Sequence, residues 1–429
     1  MEKLNEDFII NLSNNKNEPV WMKNFRLNSY KKFLELDNPS FGPKINIDFD
    51  NLVYHKGLFA PPSCSWENVD KKVKNTFNDL GVIEAENKYL KGVSNQYESE
   101  VVYHKMEESD GIIFLSSDEA LKKYPELFEK YFNNLVKYDE NKYTALNGAL
   151  WSGGSFIYIP PYTKVDRPLQ SYFRIDTKNL GQFERTIIIV DHDSSLHYIE
   201  GCTAKNYSTT SLHAGVVEIY VGKNSTCKYS TIQNWSKDVY NLVTKRAILE
   251  EGAYMQWVDG NIGSGVTMKY PSCILRGDNS KASSISIAYA KEGQHLDAGA
   301  KMIHLGKNTK STIISKSIAG FGGASDYRGT VKIAKEATGS FATIKCDNII
   351  LDSISSSNTY PKNIVENNES TLEHEATISK INEEKLNYLM SLGISEDAAK
   401  DLYVLGFMSD FKKSLPMEYA VELNRLIKE

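Results

Sequence analysis

The amino-acid sequence predicts a mainly β protein whose strand-rich centre is flanked by helical segments at both ends. From about Trp151 to about Leu351, short β-rich pieces alternate apolar residues with Ser, Thr or Lys, the period of half-buried strands. No helical pattern of about 10–15 residues separates them, which disfavours βαβ units. Before this region, and again after Ala376, apolar residues recur at helical spacing.

Helix-start signals support the two helical segments. Pro19 lies near the first turn of an amphipathic helix, Ser116 and Glu119 form a capping-box signature, and Pro125 opens the next helical run. In the tail, Gly393 is expected to end one helix, Ser395 to cap the next and Pro416 to open the last. The residues leave open whether these tail helices pack on the β region or dock a partner.

The pattern of short strands leaves three architectures open for the β region. Evenly punctuated short strands fit a sandwich, a barrel or a solenoid. A Gly-Lys-Asn-Ser turn at residues 222–225 recurs as Gly-Lys-Asn-Thr at 306–309. This repetition favours the solenoid, but periodicity does not exclude the other two folds.

Bulk composition limits the function classes. A chain of 429 residues suggests two or three structural units, and its net charge of −5 lacks the basic balance that nucleic-acid binding needs. We expect neither a secretory signal at the acidic start nor a membrane span, because no apolar run approaches about 20 residues. The expected location is the cytoplasm, or the plastid stroma if the chain is organellar.

The cysteine pattern indicates free thiols. Five cysteines occur and none forms C-x-x-C with another, so local spacing gives neither a zinc ribbon nor a ferredoxin-type cluster. For any one of them, the simplest interpretation is a small buried hydrophobic residue.

A candidate metal site follows the strand-rich region. Cys346 is followed by Glu373, His374 and Glu375, which together offer the thiolate, imidazole and carboxylate ligands that bind iron and iron–sulfur centres. Their separation in sequence leaves open whether they meet in space. No phosphate-binding loop accompanies them, so any ATP hydrolysis must belong to another subunit.

Polar residues interrupt the apolar texture of the β region: Arg174, Asn234 between Gln233 and Trp235, and the pair Lys245-Arg246. They either occupy the outward positions of alternating strands, or they form a polar path through the interior. Unpaired charges along such a path would be costly unless they serve a function.

Long distinctive motifs occur in order along the chain, at residues 17–22, 97–104, 150–158, 170–175, 181–186, 269–280, 301–304, 308–312 and 372–377. They resemble the SufB/SufD family, the scaffold proteins of SUF iron–sulfur cluster assembly. The ending Glu-His-Glu-Ala-Thr and the run Tyr-Pro-Ser-Cys-Ile-Leu-Arg-Gly are closer to its SufB branch than to SufD.

The resemblance implies a right-handed parallel β-helix flanked by helical domains, with boundaries expected at 1–150, 151–370 and 371–429. It implies pairing with SufD or a second SufB copy, an ABC-type ATPase (SufC) on the C-terminal helices, sulfur supplied by a cysteine desulfurase system, and delivery to apo iron–sulfur proteins. The cargo is a transient iron–sulfur cluster, and a reduced flavin is a further cofactor that some relatives suggest.

The resemblance also implies roles for single residues. Cys202 matches the acceptor of persulfide sulfur, and Cys346 matches the cysteine on which the cluster forms. Glu375 matches a carboxylate ligand, with His374 and Glu373 beside it. Four residues match the internal sulfur path between the two cysteines: Arg174, Gln233, Trp235 and Lys245.

Two positions depart from the family pattern. Asp176 stands where SufB-type proteins often have Asn, which changes the charge near the path. Asn358 stands where a His is common, which removes one candidate ligand.

Two rival functions remain. One is a SufD-like structural partner that completes the dimer while its cysteines serve only for packing. The other is a β-helical carbohydrate-active enzyme, which would need paired acids on an exposed face, with Asp191, Asp193 and Glu200 as candidates.

Overall fold

The structure is a computed structural model that describes residues 3–57, 59–107, 111–205, 210–409 and 411. Helices precede and follow a central region of strands. The helices are α1 (Glu6–Asn15), α2 (Val20–Glu35), α3 (Lys71–Asp79), α4 (Val82–Tyr89), α5 (Ser117–Lys123), α6 (Pro125–Tyr131), α7 (Lys142–Leu150), α8 (Glu383–Ser391) and α9 (Glu396–Phe407).

The strands begin inside the N-terminal region and continue to residue 380. In chain order they are β1 (Gly92–Tyr97), β2 (Glu100–Met106), β3 (Ile113–Ser116), β4 (Ser155–Ile159), β5 (Leu169–Ile175), β6 (Gly181–Gln182), β7 (Arg185–Val190), β8 (Ser195–Ala204), β9 (Ser211–His213), β10 (Val216–Val221), β11 (Thr226–Asn234), β12 (Val239–Leu249), β13 (Tyr254–Asn261), β14 (Val266–Lys269), β15 (Ser272–Leu275), β16 (Lys281–Ala290), β17 (His295–His304), β18 (Lys310–Ala319), β19 (Ala324–Ile333), β20 (Phe341–Ile350), β21 (Ser356–Val365) and β22 (Thr371–Lys380).

Successive strands pass alternately between two sheets, which makes the centre a parallel β-solenoid. Among the described residues, one sheet has ten strands in the order β2-β1-β5-β8-β11-β13-β16-β18-β20-β22, and the other has twelve, ending at β21. Only β1–β2 and β3–β4 pair antiparallel in the described chain. In the ten-stranded sheet, the eight parallel strands from β5 to β22 correspond to about eight turns of the solenoid. The mainly β fold with a parallel β-helix core is confirmed.

The repeated turns form one corner of the solenoid. Asn224 and Asn308 have φ of 57° and 54°, the left-handed conformation that Asn tolerates better than most residues. The backbone N–H of Asn224 donates to the Glu251 carbonyl of the next turn at 2.9 Å, and that of Asn308 donates to Thr338 at 2.9 Å. Similar turns therefore stack at similar places, which explains the repeat in the sequence.

The apolar core fills the inside of the solenoid, and the flanking helices cover its outside. Buried interior residues include Val217, Cys227, Met255, Met302 and Ile344. On the outer face of the ten-stranded sheet, apolar residues of β11 to β20 pack against residues of α8 and α9.

The predicted helix starts are confirmed where the structure describes them. Pro19 is the N-cap of α2, Pro125 is the first residue of α6, and the Ser116 hydroxyl accepts a hydrogen bond from the Glu119 N–H at 3.2 Å. Ser395 caps α9. Pro416 lies outside the described residues.

The start of the helical tail differs from the expectation. Thr371–Lys380, which we placed at the start of the helical tail, forms strand β22, because it pairs in register with the whole of β20. The first tail helix begins at Glu383. No helix within the described ranges is long and apolar enough to cross a membrane.

Candidate functional site

Strand alternation turns two adjacent rows of side chains toward the inside of the solenoid. One row, here called the Cys346 row, is formed in register by Glu200, Thr231, Asp259, Ser286, Ser315 and Cys346. The other, the Cys202 row, is formed by Cys202, Gln233, Asn261, Ala288, Ser317 and Asn348. They share the faces of β8, β11, β13, β16, β18 and β20 that also carry the buried core.

The rows join the two cysteines through the interior. Every member is at most 6% exposed. Five strand spacings separate β8 from β20, which at about 4.8 Å each is roughly 24 Å. Cys202 and Cys346 are therefore too far apart for direct contact, but polar side chains occupy most of the positions between them.

Charged groups surround Cys202 at the first end of the rows. Its Sγ lies 3.7 Å from Glu200 Oε1, which also accepts a hydrogen bond from Lys245 Nζ at 2.9 Å. Lys245 and Glu200 are both buried, and the Tyr229 hydroxyl donates to the other oxygen of Glu200. Burial raises the pKa of the Cys202 thiol, and the Glu200 charge raises it further.

A second acid and a histidine complete this charged interior. Burial, together with the charge of Glu200, raises the pKa of Glu184 to about 8. For Glu200 itself, burial opposes ionisation, but Lys245 more than offsets it and holds the pKa at about 2. His213 Nε2 lies 4.0 Å from Glu184 Oε1, and burial lowers the pKa of His213 to about 3.

Three of the four predicted path residues lie at this end of the interior. Gln233 Oε1 accepts from Asn241 Nδ2 at 2.6 Å, and Trp235 packs against His213 with ring centroids 4.7 Å apart. Lys245 forms the ion pair described above. Trp235, Cys202 and Phe173 belong to one buried cluster.

Arg174 does not join them, because it is on the opposite face of its strand. Arg174 pairs in register with Thr203, the residue that follows Cys202 and faces outward. The Arg174 guanidinium donates a hydrogen bond to Thr203 Oγ1 at 3.1 Å. It also forms an ion pair with Asp176 at 2.8 Å. The extra charge that Asp176 introduces is therefore balanced by Arg174.

Cys346 lies at the other end with few charged neighbours. Its side chain is buried near Tyr327, and burial raises its pKa to about 12, although the nearby Tyr327 hydroxyl acts to lower it. The adjacent strand β22 is the last that the described residues add to this sheet, and it places Ala376 opposite Cys346.

The structure separates the predicted ligands onto two faces of β22. His374 pairs with inward-facing Ile344, so it shares the interior face with Cys346. Glu373 and Glu375 face outward, where Glu373 accepts from Thr343 Oγ1 at 3.3 Å and Glu375 lies 3.7 Å from Lys345 Nζ. Strand alternation forces this division. Within the described ranges, no group of three or more His, Cys, Asp or Glu residues could hold a metal ion.

The two ring nitrogens of His374 differ in their surroundings. Asn363 Nδ2 contacts its Nδ1 at 3.1 Å, while Nε2 is buried with no hydrogen-bond partner in the described chain. Burial lowers the pKa of His374, which favours the neutral imidazole that binds metals.

Asn358 lies outside the interior that contains Cys346. On the outward face of β21, its Nδ2 donates to Asp326 Oδ1 at 2.8 Å, and His295 Nε2 contacts the other oxygen of Asp326 at 2.8 Å. The absence of His at this position removes no ligand from the interior of this chain.

The candidate acids of a carbohydrate-active enzyme do not form a pair. Glu200 is buried inside the solenoid, whereas Asp191 accepts from Tyr158 and Asp193 contacts His192 at a partly exposed turn.

Some interior residues were not found from the sequence: Glu184, His213, Asp259 and Lys269. They lie in separate elements of the chain, and only the folded structure brings Glu184 near His213, at 4.0 Å, and Lys269 near Asp259, at 3.1 Å. The available signal was the recurrence of a polar residue at the same position of successive turns.

Known proteins similar to this chain identify its family. Residues 173–407 match the family described as SUF system FeS cluster assembly, SufBD core domain, and residues 68–171 match the SufBD protein N-terminal region. An iron–sulfur cluster assembly SufBD family protein of Staphylococcus aureus (strain MRSA252) is 54% identical over 429 residues, covering 99% of this chain and 92% of the relative. A protein with the same description from Staphylococcus saprophyticus has the same identity and coverage. The chain belongs to the SufBD family of iron–sulfur cluster assembly proteins.

Proposed function

We propose that this chain is a SufB-type scaffold that receives sulfur at Cys202 and assembles an iron–sulfur cluster at Cys346. The observation that carries the proposal is the pair of buried rows, which gives both cysteines access to one polar interior. A passive packing role would not require charged and polar side chains between them, since burying such groups is costly.

Sulfur arrives as a persulfide on a cysteine desulfurase or its transfer protein. The Cys202 thiol attacks the outer sulfur of the donor persulfide: Cys202–SH + R–S–SH gives Cys202–S–SH + R–SH. The old S–S bond breaks as the new one forms, and the thiol proton goes to the departing donor thiolate. Because burial raises the pKa of Cys202, the thiol stays protonated and unreactive until a donor approaches.

The interior end offers Cys346 and His374 as cluster ligands. Glu375 and Glu373 are outward and would join the ligand set only at the exposed rim of β22. A sparse, mixed ligand set suits a scaffold, because a cluster held by four thiolates of one chain would be harder to release. The remaining ligands come from a partner subunit.

The sheet edges support such a partner. Both sheets end in strands with no further strand beside them in the described chain, β21 and β22. Unpaired strand edges are ready surfaces for pairing with another chain. SufD or a second copy of this chain would therefore extend the solenoid next to Cys346.

An ATPase of the SufC type would bind the C-terminal helices. Tyr388, Leu392 and Leu402 on or beside α8 and α9 are 65%, 61% and 48% exposed. ATP-driven movement of these helices would open the subunit interface and release the buried cluster to apo acceptor proteins. A reduced flavin would be one electron donor for the sulfur chemistry.

Anaerobic reconstitution with iron and sulfide tests the assembly site. We expect visible cluster absorption in the wild type and its loss in Cys346→Ala. Cys273→Ala is the matched control, because Cys273 is an equally buried thiol that accepts from the Trp257 indole in the apolar interior. Equal absorption in all three proteins would contradict the proposed site.

The second candidate function is a SufD-like structural partner. The complete burial of Cys346 favours this role, because a cysteine that serves only for packing is also expected to have a buried, protonated thiol. A wild-type chain that holds no cluster, alone or mixed with SufC and SufD, would support this role instead.

A further inference from the structure

The outer face of the twelve-stranded sheet lacks a helical cover over its last strands. On the ten-stranded sheet, α8 and α9 pack against the outer face. On the twelve-stranded sheet, the outward residues of β15, β17, β19 and β21 share no hydrophobic cluster with a helix among the described residues. Strand register joins them into a patch, here called the Lys301 face, which consists of Ile274, Lys301, Ile303, Lys332, Lys362 and Ile364.

Two lysines of the Lys301 face have no counter-charge in the described chain. Lys301 and Lys362 occupy one outward row with Thr330 between them, so two strand spacings, about 10 Å in all, separate their backbone positions. Both side chains are exposed, and neither forms an ion pair or a hydrogen bond with a described residue. Lys332, in contrast, pairs with Glu366 at 3.1 Å. The face therefore carries two uncompensated positive charges.

An apolar row lies beside these charges. Ile274, Ile303 and Ile364 occupy the neighbouring outward row, and each is half-buried. Tyr360, two residues before Lys362, is 44% exposed on the same face. The Lys301 face thus offers apolar contact area next to charge of one sign.

A pocket of about 440 Å³ opens next to Lys301. Lys301 Nζ lies 5.6 Å from the centroid of the Tyr270 ring in the pocket wall. Apolar and aromatic side chains form much of that wall: Phe41, Tyr143, Leu242, Met268 and Tyr270. The pocket is large enough to take one apolar side chain of another protein beside the Lys301 ammonium.

The acids of the pocket do not neutralise Lys301. Glu140 pairs with Arg246 at 2.7 Å, and Asp37 forms no ion pair with Lys301 in the described chain. Desolvation, together with the charges of Arg246 and Lys362, lowers the pKa of the Lys301 ammonium, although Glu140 opposes this shift. A carboxylate bound at Lys301 would offset this repulsion between cations.

We propose that the Lys301 face docks an acidic amphipathic segment of a partner protein. One apolar side chain of the segment enters the pocket, others lie along the isoleucine row, and two carboxylates pair with Lys301 and Lys362. On a helical segment, acids seven residues apart are separated by about 10.5 Å along the axis, which matches the spacing of the two lysines. Charge complementarity thus selects an acidic partner.

This surface differs from the strand edges proposed for subunit pairing. The Lys301 face lies on the outside of β15, β17, β19 and β21, whereas the pairing edge is the side of β21 that has no neighbouring strand in the described chain. A partner on the Lys301 face therefore leaves that edge accessible. Docking on it requires neither iron nor sulfur, so it does not depend on the cluster chemistry.

Fluorescence anisotropy of a labelled model helix tests the face in the full-length chain. The probe is a peptide with a leucine stripe flanked by Glu at positions seven residues apart, and the control peptide has Gln at those positions. We expect the wild type to bind the Glu peptide about tenfold more tightly than K301E/K362E does, because the variant replaces two attractions with two repulsions. The difference should shrink as salt is raised.

A second lysine pair provides the matched control variant. Lys281 and Lys310 are exposed and in register on the other sheet, so K281E/K310E changes the net charge equally and should keep the wild-type affinity. Circular dichroism checks that both variants are folded. Equal affinity of the wild type and K301E/K362E for the Glu peptide would overturn the proposal, as would equal affinity of the wild type for the two peptides or no binding at all.

Sedimentation tests the alternative occupant, a second copy of this chain. If the wild type is a dimer and K301E/K362E is a monomer, the face is a contact between copies, and the acidic partner is overturned. The same oligomeric state in both proteins, together with tighter binding of the Glu peptide by the wild type, would support the proposal.

Discussion

The two ends of the solenoid interior differ in charge and in enclosure. Around Cys202, two acids, a lysine and a histidine are buried together, and later turns cover them. Around Cys346, the interior face carries Tyr327, Asn348 and, on the adjacent strand, His374, and one further turn follows within the described residues. Both thiols are protonated in the isolated chain, but for different reasons: burial plus a carboxylate at the first, and mainly burial at the second.

Under the proposed function, the two ends would carry out different chemistry. Fixed, paired charges at the first end would suit the handling of an anionic sulfur species, which needs compensating cations in a dry interior. The second end has few charges of its own, so iron cations would bind there without strong competition from lysines. The unpaired edge of β22 would let a second subunit complete the coordination.

The largest expected effect is the difference between two neighbouring residues of β22. In reconstitution of the chain alone, we expect His374→Ala to lose most of the cluster absorption and Glu375→Ala to keep it, because only His374 shares the interior face with Cys346. Visible absorption and iron content measure the effect. Retention in His374→Ala with loss in Glu375→Ala would show that the cluster forms on the outer face instead.

The free energy of unfolding should depend much more on the buried ion pair near Cys202 than on the exposed ion pair near Cys346. Lys245→Met leaves Glu200 charged and buried without its partner, so we expect a loss of about 3–5 kcal/mol in the free energy of unfolding. Lys345→Met breaks the exposed pair with Glu375 at the other end and should cost less than about 1 kcal/mol. Chemical denaturation measures both. Similar losses in the two variants would contradict the contrast.

The pH dependence of folding stability should report on the buried charged groups around Cys202 and not on the surroundings of Cys346. Because the pKa of Glu184 is raised to about 8 in the folded chain, the folded state keeps a proton that the unfolded state has lost above its ordinary pKa. Folding stability is therefore lost as pH rises toward 8. Relative to the wild type, Glu184→Gln should lose less stability between pH 6.5 and 8. Parallel profiles of the two proteins would mean that Glu184 is ionised in the folded chain.

The smallest difference between two positions is expected at the repeated corner turns. Asn224 and Asn308 occupy equivalent left-handed corners, so replacing either with Ala should cost about 1–2 kcal/mol, while Gly should cost less. Thermal unfolding of the four variants measures this. A clear difference between the two alanine variants would show that the corners do not contribute equally.

Much of the fold could be predicted from the sequence because it depends on local periodicity. Alternating strands, the Gly-Lys-Asn turns and the capping residues Ser116 and Ser395 are local signals, and each is confirmed. The strand at 371–380 was not recognised because its side chains are mostly exposed on an edge, so it lacks the buried alternation of earlier strands.

The site could be predicted by residue type but not by arrangement. Which face of β22 carries Glu375, or of β5 carries Arg174, depends on register, and a shift of one residue exchanges the faces. The contact of Glu184 with His213 depends on pairing between separate turns. Neither property is encoded in a local pattern.

The most direct test of the separate roles of Cys202 and Cys346 compares two sulfur sources in three proteins. Wild type, Cys202→Ala and Cys346→Ala are each supplied with iron and either desulfurase-derived sulfur or inorganic sulfide, and the rate of cluster formation is followed by visible absorption. We predict that Cys202→Ala is slow only with the desulfurase, whereas Cys346→Ala forms no cluster from either source. Normal assembly by Cys202→Ala from the desulfurase, or by Cys346→Ala from either source, would contradict the assignment of the two ends.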